Sequence, residues 1–70
     1  MDHDPNDMHR LEAMIDKYGM AKVIAMLSEI CGDKAEHVAV NWQDTRLAKD
    51  WSKAAEATGY LSQRMQSLLP

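Results

Sequence analysis

A chain of 70 residues with a net charge of −3, 46% hydrophobic and 27% charged, has room for one globular domain. The negative charge argues against nucleic-acid binding. The single cysteine, Cys31, excludes an intrachain disulfide, and no paired Cys/His spacing indicates a structural zinc. A chain this short buries only about 60% of its unfolded surface, so we expect it to be a homo-oligomer, a dimer or larger.

The N-terminal region favours a protein that stays in the cytoplasm. Residues 1–7, MDHDPND, are acidic and lack the basic and apolar regions of a signal peptide. The longest nearly apolar run, 20–27, is interrupted by Lys22 and is far too short to cross a bilayer. With one thiol and no export signal, we expect a cytoplasmic protein without membrane association.

The first helix has clear start and stop signals. Asp4 is a good N-cap and Pro5 a good first helical residue, while Gly19 is a good terminator. The pattern predicts a helix over about 5–18, preceded by disorder in residues 1–4. Its apolar residues recur at steps of three and four, as expected for one helical face: Met8, Leu11, Met14 or Ile15, and Tyr18.

Two longer helices follow, at about 20–42 and 45–68. The first carries an apolar stripe from Met20 to Trp42 that continues through Gly32, which we interpret as a weak point rather than an end. Asp44 is the predicted N-cap of the second, and Gly59 is a candidate break within it.

These elements predict a single all-α domain over 1–70. A short N-terminal helix precedes a long antiparallel helical hairpin, which oligomerisation completes as a bundle. The stripe of the second helix is wider than one partner helix covers. The predicted oligomer interface comprises Val23, Met26, Ile30, Leu61 and Met65.

A polar line on the second helix is a candidate metal site. Glu29, Asp33 and His37 are spaced four residues apart, so they share one side of the helix. Carboxylate and imidazole groups one turn apart can bind a divalent cation. The alternative is a solvated helix face, and we expect no cofactor.

The densest group of specific side chains surrounds the predicted bend. Tryptophan offers a flat apolar face and amides can bind planar polar ligands, so a nucleotide-like molecule could stack there. The alternative is that the two tryptophans plug the end of the hairpin and that Asp44 only caps a helix. The candidate ligand residues are His37, Asn41, Trp42, Gln43, Asp44 and Trp51.

Other reactive or charged groups give weaker signals. Cys31 falls on the apolar stripe, where a cysteine behaves as a small hydrophobic residue. Arg46, Lys49 and Lys53 form a basic line among acidic residues, typical of a solvated helix face. No nucleophile motif or phosphate-binding loop is present, so we expect no enzymatic activity.

Several segments resemble short uncharacterised helical proteins of phage and bacterial genomes. The clearest are KAEH at 34–37, NWQD at 41–44 and AKDW at 48–51. The resemblance implies no catalytic or binding residue, because no activity is established for that group. It implies a phage-linked setting, in which a small non-enzymatic protein would inhibit or sequester a host defence component by binding. A small-ligand site at the bend, or between subunits, is the alternative function.

Overall fold

The computed structural model describes residues 3–69 and confirms the all-α fold, with no strand in that range. Three α-helices follow one another as α1 (Pro5–Tyr18), α2 (Met20–His37) and α3 (Thr45–Leu68), and a π-helical turn (Val38–Trp42) extends α2. Residues 1 and 2, half of the segment expected to be disordered, lie outside the described range. No helix within 3–69 is long and apolar enough to span a membrane.

The helix ends follow from local hydrogen bonding. The Asp4 carboxylate accepts a hydrogen bond from the Asn6 N–H at 2.9 Å, and Asp44 accepts one from the Leu47 N–H at 3.0 Å. Both residues are therefore the N-caps that the sequence predicts. Gly19 has φ +87°, a backbone conformation that side chains disfavour, and its N–H donates to the Ile15 carbonyl at 2.7 Å.

The α-helical part of α2 is shorter than the predicted 20–42. Its last turn widens into the π-helical turn, and Gln43 then reverses the chain with φ 54° and donates its N–H to the Val38 carbonyl. Gly32 and Gly59 both lie inside continuous helices, so Gly59 does not break α3.

The hairpin is joined by small residues and by two hydrogen bonds from serine. The Ser28 hydroxyl of α2 donates to the Ala55 carbonyl of α3 at 2.7 Å, and the Ser62 hydroxyl donates to the Ala21 carbonyl at 2.8 Å. A Cβ atom added at Gly59 would lie 3.3 Å from the Ser28 Oγ. These contacts fix α2 and α3 as antiparallel neighbours whose backbones approach closely.

The hydrophobic core is small. Among the described residues, the buried apolar side chains are Val23, Ile24, Ala35 and Val38. Val23 is only 4% exposed, so it has little surface left for the oligomer interface in which the sequence places it, and that interface stays a prediction. Many larger apolar side chains are left in contact with water.

Helix α1 projects from the hairpin instead of packing along it. Within α1, which the structure describes in full, no residue is buried and only Ile15 is half-buried. Among the described helices, α1 contacts only α2. The radius of gyration is therefore 14.0 Å, compared with about 11 Å for a compact domain of this length.

Candidate binding site at the hairpin turn

The π-helical turn presents two apolar side chains to solvent. Trp42 is 66% exposed and Val40 is 67% exposed. This exposure does not fit the alternative in which Trp42 plugs the end of the hairpin. π-Helical turns occur frequently at functional sites, and tryptophan is one of the residue types enriched at the centre of binding interfaces.

One neighbouring ring, that of His37, packs against the Trp42 indole. The His37 ring lies 6.1 Å from it, centroid to centroid, with an interplanar angle of 66° that is typical of edge-to-face packing. The Asn41 amide nitrogen lies 3.0 Å from the His37 Nδ1 and donates to the His37 carbonyl at 3.2 Å. If the amide also donates to Nδ1, the neutral imidazole carries its proton on Nε2, so that proton remains available to a ligand.

The other predicted ligand residues do not join this group. Gln43 supplies the left-handed backbone of the turn, and the Asp44 carboxylate is used in capping α3. An open cleft of about 340 Å³ beside Asp44 is lined by Arg46, Leu47 and Asp50. Trp51 is half-buried, roughly two turns into α3. The six residues therefore form no single pocket.

Two further open clefts flank His37 and do not include Trp42. One of about 280 Å³ is lined by Asp33, Glu36, His37, Val40 and Asn41. The other, of about 380 Å³, is lined by Ile30, Asp33, Lys34 and His37. An enclosed pocket that buries most of a small molecule is the usual ligand site, whereas both of these clefts are open to solvent.

The predicted metal line does not converge in the structure. Within residues 3–69, no three His, Cys, Asp or Glu side chains are placed to hold a metal ion. Asp33 and His37 share two clefts, but Glu29 lines neither. Residues four apart on a straight helix point the same way without converging on one point, so the solvated-face alternative fits Glu29, Asp33 and His37 better.

The predicted interface residues other than Val23 keep exposed surface. Ile30 is 52% exposed and Leu61 is 44% exposed, whereas Met26 and Met65 are half-buried. A further exposed apolar face, which the predicted interface does not include, lies on α1. The helical spacing of its residues in the sequence indicates this face, and all four are exposed in the structure: Met8, Leu11, Met14 and Tyr18.

Comparisons of the sequence and fold with protein-family models, curated proteins and solved structures gave no match. The chain's own geometry is therefore what bears on its function.

Proposed function

We propose that the protein is a non-enzymatic binding protein that contacts a macromolecular partner through the hairpin turn. The observation that carries this proposal is the exposure of Trp42, 66% of whose surface faces solvent at the end of the π-helical turn. Exposed large apolar groups cost solvation free energy, and contiguous ones commonly mark interaction sites. Val40 is equally exposed on the same turn, but it lies two residues away and therefore on a different side of the helix.

Polar groups beside Trp42 suit the rim of such an interface. The Asn41 amide and the His37 imidazole are both exposed and already hydrogen-bonded to each other. Their remaining donors and acceptors can orient a partner, while the indole supplies the buried area at the centre. Because both clefts beside His37 are open and neither includes Trp42, a protein surface fits the site better than a small molecule does.

The setting we propose is the cytoplasm, since the free Cys31 thiol is compatible with a reducing compartment. The resemblance of the KAEH, NWQD and AKDW segments to short phage and bacterial proteins supports a more specific form of the proposal. In that form the partner is a host defence component, which the chain inhibits or sequesters by occupying its surface.

The test is a capture experiment in the native host with tagged wild type, Trp42→Ala and Tyr60→Ala. Tyr60 is a matched control because it is an aromatic residue, 64% exposed, on the outer side of α3. We expect a partner that wild type and Tyr60→Ala retain equally and that Trp42→Ala loses. With purified partner, Trp42→Ala should weaken binding at least about 30-fold, since truncating a central tryptophan costs about 2 kcal/mol or more.

Equal affinity of wild type and Trp42→Ala for every captured protein would contradict the proposal. An equal loss with Tyr60→Ala would also contradict it, because the effect would then follow from exposed aromatic area in general rather than from the hairpin turn.

A further inference from the structure

The accessible surface is larger than a folded chain of this mass normally leaves. The structure exposes 5854 Å² for a 7.9 kDa chain, whereas a compact monomer of that mass exposes about 4,400 Å². The excess of about 1,400 Å² lies within the range of roughly 1,000–2,500 Å² that each subunit buries in an obligate dimer. A second protein surface of that size would restore ordinary compactness.

One wall of the uncovered region is the apolar face of α1. Ile15 is half-buried where α1 meets α2, which shows that this face of α1 turns toward α2. Leu11 and Met8 lie four and seven residues earlier on the same face, but they are 46% and 52% exposed. The helix therefore diverges from α2 and leaves its first turns uncovered.

The opposite wall is a flank of α2. Val23 lies about 140° around the helix from Ser28, which faces α3. Because α1 is the other α-helix that contacts α2, we attribute the burial of Val23 to α1. Leu27 and Ile30 follow four and seven residues later on the same flank, and they are 44% and 52% exposed. The α1–α2 groove is thus bounded by Met8 and Leu11 on one side and by these two residues on the other.

We propose that helix α1 of a second copy of this chain fills the α1–α2 groove, and that the exchange is reciprocal. Each α1 has an uncovered apolar face. Each groove has room for one more helix over the length of that face. A two-fold axis between the two α1 helices lets each fill the groove of the other. In this dimer, α1 and α2 of one copy pack against α1 and α2 of its partner, so four helices are in contact.

This dimer uses a surface different from the one that binds the partner in the proposed function. The groove lies on α1 and the first two-thirds of α2, whereas Trp42 follows the C-terminal end of α2. The two proposals can therefore fail separately. Trp42→Ala should leave the dimer intact, and a substitution in the groove should leave the hairpin turn intact.

The test is sedimentation equilibrium of the full chain from about 1 to about 100 µM, where mass action separates monomer from dimer. Wild type should approach twice the 7.9 kDa chain mass. Leu11→Glu on one wall and Ile30→Glu on the other should each raise the dimer dissociation constant at least about tenfold. Tyr60→Glu, on the outer side of α3, should behave as wild type.

Circular dichroism of the variants checks the fold, because neither Leu11 nor Ile30 is buried in the single chain and the helical signal should persist. A wild-type chain that remains monomeric at the highest concentration would overturn the proposal. So would an assembly of any size that both groove variants leave unchanged, or one that Tyr60→Glu disrupts as strongly as they do.

Discussion

Replacing Gly59 by leucine is expected to unfold the hairpin. An added Cβ lies 3.3 Å from the Ser28 Oγ, and that hydroxyl is held by its hydrogen bond to the Ala55 carbonyl at 2.7 Å. The further carbons of leucine would have to enter the space between two closely approaching backbones. We expect the free energy of unfolding to fall by at least about 3 kcal/mol, because the cost of over-packing adds to the cost of losing the interhelical hydrogen bond.

The matched control for this substitution is Gly32→Leu in α2. Gly32 is also inside a helix, but a Cβ added there meets nothing within 4 Å. Leucine at this position should raise stability by up to about 1 kcal/mol through helix propensity alone. Urea unfolding followed by circular dichroism measures both. Similar midpoints for Gly59→Leu and wild type would show that α2 and α3 are not in this close contact.

The second large effect is expected from Ile24→Ala. Ile24 is only 8% exposed and is one of four buried apolar residues in the described chain. Truncating a buried isoleucine removes apolar contact and leaves a cavity, which typically costs about 2–5 kcal/mol. We expect about 3 kcal/mol, a large part of the stability available to a domain of this size.

Ile30→Ala is the same chemical change on the uncovered flank of α2, where the side chain is 52% exposed. In dilute solution it should cost less than about 0.5 kcal/mol, as exposed positions usually do. At high protein concentration its cost should rise if a second copy covers Ile30. Chemical unfolding at two concentrations measures this difference. If Ile24→Ala and Ile30→Ala lowered the free energy of unfolding equally in dilute solution, Ile24 could not be buried and Ile30 exposed as described.

Much of the fold could be predicted because the determining signals are local. The caps at Asp4 and Asp44 and the terminator Gly19 act within a few residues, and the structure shows each in its predicted role. The hairpin followed from two long helices with apolar stripes. Those stripes are set by helical periodicity, which requires no knowledge of tertiary contacts.

The rest depends on how the helices are placed relative to one another. The close approach at Ser28 and Gly59 depends on where α2 and α3 cross, and stripe spacing does not give that position. The exposure of the α1 face depends on the angle at Gly19. The predicted interface role of Val23 has the same limit, because its burial in the single chain depends on how the helices are placed.

The candidate site was only partly predictable. His37, Asn41 and Trp42 were singled out by residue type, and the structure brings these three together. Trp51 lies roughly two turns into α3 and is half-buried, whereas Trp42 is exposed. The π-helical turn itself has no signal in the spacing, since a change from α- to π-helical hydrogen bonding moves each residue only slightly.

The central claim is that this chain completes its structure by contact with a second copy. Amide hydrogen exchange in residues 9–14 of α1 is its most direct test. An isolated helix of 14 residues is marginal in water, so these amides should exchange rapidly in dilute protein. Contact with a second copy predicts exchange at least about tenfold slower at high concentration. Identical exchange rates at both concentrations would contradict the claim.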